Sequence, residues 1–129
     1  MEDRSPPDET QAKGGPSNMK DGHYIDKNND EVWVQDGKYH RLDGPAYLNN
    51  VCKFWYKNGE LHREYGPAEI IIGAWEIWYQ YDKKHRLDGP AVSWWDGTKE
   101  FWIDGVRYKD DLLWRLEVQR IKRKQKDTN

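Results

Sequence analysis

One phrase is written three times along the chain: His40-Arg41-Leu42-Asp43-Gly44-Pro45-Ala46, His62-Arg63-Glu64-Tyr65-Gly66-Pro67-Ala68 and His85-Arg86-Leu87-Asp88-Gly89-Pro90-Ala91. The copies stand 22 and then 23 residues apart, a period that belongs to stacked units, none of which buries an apolar face alone. A residue that appears once per unit is therefore read first as scaffold.

The period extends beyond the phrase. Trp33, Trp55, Trp78 and Trp102 keep one phase, and a turn pair follows each: Asp36-Gly37, Asn58-Gly59, Asp82-Lys83 and Asp104-Gly105. Asn or Asp followed by Gly tolerates the positive φ that both central residues of a type I′ hairpin turn require. Asp82-Lys83 is the weak member. One period before Asp43-Gly44 stands Asp21-Gly22, so the array is expected to begin near residue 21 with a degenerate unit.

Residues alternate around each Trp. Phe54 and Tyr56 fall on one face and Trp55 on the other, as do Val32/Val34 against Trp33, Ile77/Tyr79 against Trp78, and Phe101/Ile103 against Trp102. Each unit reads as two short strands, with a second turn such as Asn49-Asn50 or Asp96-Gly97-Thr98 between them. There is no room for crossover helices. The pattern predicts a mainly β fold, an antiparallel meander of about four tandem hairpin units of roughly 22–24 residues, followed by a C-terminal helix.

The ends differ from the middle. Residues 1–20 are rich in Pro, Gly, Ser and charge, the composition of a disordered tail; 21–109 form the repeat domain; 110–129 form a helix and basic tail. Asp110 and Asp111 suit the helix start, and Arg120, Lys122, Arg123, Lys124 and Lys126 suit its end. Its apolar residues fall into two groups, Leu112/Leu113/Leu116 and Trp114/Val118/Ile121. Either one group covers the sheet and leaves the other for a partner, or the helix is buried on both sides at its first turns.

At 129 residues with 36% hydrophobic content the chain is too polar for a thick core, and eight Trp and eight Tyr supply the area instead. A net charge of −2 argues neither for wholesale nucleic-acid binding nor for membrane attachment. No apolar run resembles a signal peptide or a bilayer span. With Cys52 the single cysteine, a reducing, cytoplasmic compartment is the default, and Cys52 reads as a small strand filler rather than a nucleophile.

The run Trp55-Tyr56-Lys57-Asn58-Gly59-Glu60-Leu61-His62-Arg63, followed by Gly66-Pro67-Ala68, resembles the MORN-type repeat in its variant with a His-Arg-x-Asp-Gly-Pro-Ala insertion. The likeness covers about residues 21–109. It implies a hairpin array with a protein-interaction or scaffolding role, of a kind frequent in bacteriophages and large viruses, acting on a host or viral protein in the host cytoplasm. The second phrase departs from the pattern. It has Glu64-Tyr65 where the others have Leu-Asp.

His40, His62 and His85 with their acidic neighbours raise the question of a metal. Equivalent residues of successive hairpins stand two strands apart, on the order of 9–10 Å, whereas ligands of one zinc lie about 2 Å from it. No metal or cofactor is therefore expected. Arg41, Arg63 and Arg86 with Asp43 and Asp88 are expected to bond within their own turns, and Gly44, Pro45, Gly66, Pro67, Gly89 and Pro90 to shape them. Each His is expected to pack on an aromatic of the next unit.

A non-enzymatic interaction protein is the leading expectation, with a protein partner or self-association through Trp33, Trp55, Trp78, Trp94, Trp95, Trp102 or Trp114. Trp94 and Trp95, in tandem, are expected to face opposite sides, one in the core and one in an interface. The alternative is RNA or single-stranded DNA held by the five C-terminal cations and an aromatic sheet face. An enzyme would need non-equivalent residues, such as His23 with Asp26 or Asp30, to converge in a groove.

Overall fold

The computed structural model describes residues 15, 16 and 18–127. Antiparallel strands dominate: β1 (Gly22–Ile25), β2 (Glu31–Gln35), β3 (Lys38–Tyr39), β4 (Tyr47–Leu48), β5 (Cys52–Phe54), β6 (Tyr56–Lys57), β7 (Glu60–Leu61), β8 (Glu69–Ile71), β9 (Trp75–Ile77), β10 (Tyr79–Gln80), β11 (Lys83–Lys84), β12 (Val92–Trp94), β13 (Lys99–Ile103) and β14 (Val106–Tyr108). One helix, α1 (Asp111–Asp127), follows them. The main sheet runs β1-β2-β4-β5-β8-β9-β12-β13-β14, with β3 paired to β2, while β6–β7 and β10–β11 form short arms of their own. This is the meander that the alternation predicts.

The strand around each Trp is not continuous, and the Trp backbone shows why. Trp55 donates its N–H to the Ala68 carbonyl at 2.7 Å and accepts the His62 N–H on its own carbonyl at 3.0 Å. One residue thus serves two ladders, the main sheet through nitrogen and the arm through oxygen. Trp33 and Trp78 repeat this toward Ala46 and Ala91, and from His40 and His85. Neighbouring arms are joined in turn: the N–H groups of Gly59, Asp82 and Gly105 each reach a carbonyl of the preceding arm, on Tyr39, Leu61 and Lys84, at 2.9 Å.

The arm turns hold their predicted residues with one correction. Asp36-Gly37, Asn58-Gly59 and Asp104-Gly105 have both φ angles positive, but the third turn is Tyr81-Asp82, at +48° and +68°, not Asp82-Lys83. Trp33, Trp55 and Trp78 each precede the first turn residue by three positions, and Trp102 precedes Asp104 by two. Tyr81 occupies a backbone region that disfavours a bulky side chain. Its ring lies 4.2 Å from that of His62, which supplies compensating contact.

The buried face carries Val32, Val34, Phe54, Tyr56, Ile77 and Ile103, as alternation requires. Tyr39 from the first arm meets Tyr47 of the main sheet edge-on at 5.4 Å, so the arms help to cover that face. Full burial of side chains such as Ile71, Val32 and Val92 stabilises by about 1.5–3 kcal/mol each. The core also holds the Asp30 carboxylate, which accepts hydrogen bonds from the Tyr47 hydroxyl and from Asn49 Nδ2.

At the N-terminal side, most of the segment read as a disordered tail, residues 1–14 and 17, lies outside the described residues. Its last part is anchored, because Met19 packs against the core and Gly15 runs so near the first arm that a Cβ there would approach the Tyr39 nitrogen to 2.5 Å. At the other side, Asp110 Oδ1 accepts the Leu113 N–H at 3.0 Å and starts α1. Trp114 and Val118 of α1 are buried against Ile103, with Leu87, Phe101, Tyr108 and Ile121 around them.

Candidate functional site

The repeated phrase builds a clamp. The guanidinium carbon of Arg41 sits 3.8 Å over the Trp33 ring, that of Arg63 4.0 Å over Trp55 and that of Arg86 3.9 Å over Trp78. Nη1 of each donates to the prolyl carbonyl four residues on, of Pro45, Pro67 and Pro90, at 3.1, 3.0 and 3.1 Å. The phrase glycine completes the stack: a Cβ on Gly44, Gly66 or Gly89 would come within 2.7, 2.5 or 2.8 Å of the same guanidinium carbon. These glycines are required for space rather than for an unusual φ.

Asp43 and Asp88 each accept from the Nε of their own arginine at 2.8 Å, the bond expected within the turn. The histidines do something the sequence reading missed. Nδ1 of His40, His62 and His85 accepts the backbone N–H of the next unit's turn, at Asn58 (2.9 Å), Tyr81 (3.3 Å) and Asp104 (3.0 Å). In the degenerate first unit the carboxylate of Asp21 takes this part for Asp36, at 2.8 Å. Of the three phrase histidines, ring packing on an aromatic of the next unit is found for His62 with Tyr81. The missed signal was the matching interval between each His and the next turn.

Each of these bonds uses the Nδ1 lone pair, and Nδ1 of His85 also stands 3.2 Å from Asp104 Oδ1. Burial, with Lys57 nearby, lowers the His62 pKa. Among the described residues no group of three or more His, Cys, Asp or Glu is placed to hold a metal ion. His23 bonds Glu31 at 2.7 Å and stacks on Trp33, while Asp26 accepts the Asn28 and Asp30 N–H groups. Cys52 is buried, and burial together with Asp30 pushes its thiol up to about 12.

The tryptophans separate into three kinds. Trp33, Trp55 and Trp78 are half-buried beneath their arginines, and Trp102 lies under Lys84 with its Nε1 donating to Glu100 at 2.9 Å. Trp114 corrects an expectation: it is core, with Nε1 donating to the Arg86 carbonyl at 3.1 Å. Trp94 and Trp95 also differ from expectation, since β12 ends at Trp94 and Trp95 opens the turn, leaving both exposed rather than one inside. Trp94 leans on Trp75 at 5.2 Å.

Trp95, 78% exposed, and Ile72, 49% exposed, extend this aromatic pair into one apolar end of the sheet. A groove of about 370 Å³ lies between the 72–74 and 94–95 turns, with Ile70, Ile71 and Ser93 in its walls. A second apolar surface is the outer side of α1, where Leu112, Leu113 and Leu116 are exposed, which decides between the two readings of the helix.

The basic residues of α1 lie along its C-terminal half. Arg120 is bound to Glu117 at 2.6 Å, Arg123 Nε points to the Gln119 carbonyl at 3.4 Å, and Lys122 borders a groove beside Trp78 and Arg86. Lys124 and Lys126 stand exposed in the last turn. No helix among the described residues is long and apolar enough to cross a membrane. Compared with protein-family models, curated proteins and solved structures, the chain gives no match.

Proposed function

We propose that the chain is a non-enzymatic protein-interaction module, a hairpin scaffold of the MORN-variant kind, that binds a protein partner through the Trp94–Trp95 end of its sheet. One observation carries the reading: Trp75, Trp94, Trp95 and Ile72 form a contiguous apolar surface with a groove, although every other Trp is covered by an arginine, a lysine or the core. Exposed aromatic clusters of this sort anchor protein interfaces, where Trp is enriched among the residues that dominate affinity. The Nδ1 atoms of the phrase histidines and the Nη1 atoms of the phrase arginines are bonded within the array. A single buried thiol is in keeping with a reducing, cytoplasm-like setting.

Affinity capture from the native cell, with and without nuclease, compares the wild type with Trp95→Ala. The expected result is a protein recovered in both nuclease conditions and reduced by about tenfold with the variant. Recovery of nucleic acid alone, or a protein indifferent to Trp95, overturns the reading.

A further inference from the structure

The three phrases hold their arginines alike, by the same ring and the same prolyl carbonyl, so all three Nε–H groups point to the same place in their own loop. In the first and third phrases that place is filled by the carboxylate of Asp43 or Asp88. In the second it is not. Tyr65 stands at the aspartate position with its side chain 90% exposed, and Glu64 makes no ion pair with Arg63 among the described residues. Burial lowers the Arg63 pKa against the opposing charge of Glu76.

Beside this arginine lies a groove of about 650 Å³ between the first two phrases, bordered by Leu42, Trp55, Lys57, Arg63, Glu64 and Tyr65. We propose that this groove binds an acidic peptide segment of a protein partner, whose Asp or Glu carboxylate accepts the Arg63 Nε–H as Asp43 and Asp88 do on their own arginines. Arg41 and Asp43 neutralise one another, which leaves Lys57 and Arg63 as the cations of the groove wall, with Glu64 beside them and Glu76 acting on Arg63 from outside the groove. A single guanidinium N–H beside an ammonium suits one carboxylate oxygen. The groove is far larger than a carboxylate, and Leu42, 79% exposed, and Tyr65 flank it as apolar surface for the residues on either side of the acid. The site is distinct from the Trp94–Trp95 end and rests on the protein-interaction reading only for the source of its carboxylate.

Two peptides test it, acetyl-Gly-Leu-Asp-Tyr-Gly-amide and the same with Asn for Asp, titrated into the full chain while the Arg63 Nε–H and Trp55 indole N–H resonances are followed. The Asp peptide is expected to shift both to saturation, and the Asn peptide to bind at least about tenfold more weakly. Tyr65→Asp, which gives Arg63 its own carboxylate, is expected to abolish the shifts, and Glu64→Gln, a surface change that leaves the fold intact, to tighten binding by about threefold. Equal binding of both peptides, a Tyr65→Asp protein that still binds, no gain in Glu64→Gln, or acetate or inorganic phosphate matching the Asp peptide overturns the proposal. Trp95→Ala is expected to leave these shifts unchanged, so a failure here and a failure of partner capture are told apart.

Discussion

Trp55 and Trp95 are the same residue placed toward opposite ends of one hairpin array, and they differ in what lies over the ring. Trp55 has a guanidinium at 4.0 Å, a backbone that serves two ladders and a half-buried position. Trp95 has none of these, although its own N–H is bound to the Ala74 carbonyl at 2.9 Å. The array can therefore fix a turn by its backbone and leave the attached indole in water. Aromatic content alone does not tell a covered indole from an exposed one; what lies over the ring does.

Removing the two indoles gives the largest contrast. Trp55→Ala is expected to cost about 3 kcal/mol in urea unfolding, because the Arg63 clamp loses its floor. Trp95→Ala is expected to stay within about 0.5 kcal/mol of the wild type, as surface substitutions do. Similar losses for both would erase the distinction.

Gly66→Ala probes the clamp from its other side. Its new methyl meets the Arg63 guanidinium at 2.5 Å and must lift it from Trp55, an overpacking expected to cost about 1–3 kcal/mol. Gly97→Ala meets nothing within 4 Å and has only its φ of +94° against it, so the expected cost is smaller, about 1 kcal/mol. Thermal unfolding of the two variants ranks them.

The smallest effect expected is with pH. The folded pKa of His62 is lowered, so its contribution to stability is present above the ordinary imidazole value of about 6.5 and fades as pH falls through the folded value. Urea midpoints between pH 7 and pH 5 are expected to drop more steeply for the wild type than for His62→Asn, in which the titrating Nδ1 acceptor of the Tyr81 N–H is replaced by a side chain that does not titrate.

Much of this was legible in the chain. The period located every unit, the alternation located the buried face, and Asn-Gly or Asp-Gly located three of the four arm turns. The fourth was misplaced by one residue, because Tyr81 is a poor turn former and Asp82 drew the turn toward itself. The histidine bonds to the next turn were not read, since a hydrogen bond across about 18 residues leaves no local trace. Trp94 and Trp95 were misread because alternation holds only while the strand continues, and β12 stops at Trp94.

By itself, then, the sequence determined the array: a repeated phrase, a Trp in constant phase and turn pairs suffice to set hairpins side by side, because those signals are local and each unit repeats them. Only the tertiary structure decided which groups are used up within the array and which face outward. That depends on distances between units, such as the guanidinium against the phrase glycine or the Asp21 carboxylate beneath the first turn. Spacing along the chain does not encode those distances until the strands are laid together.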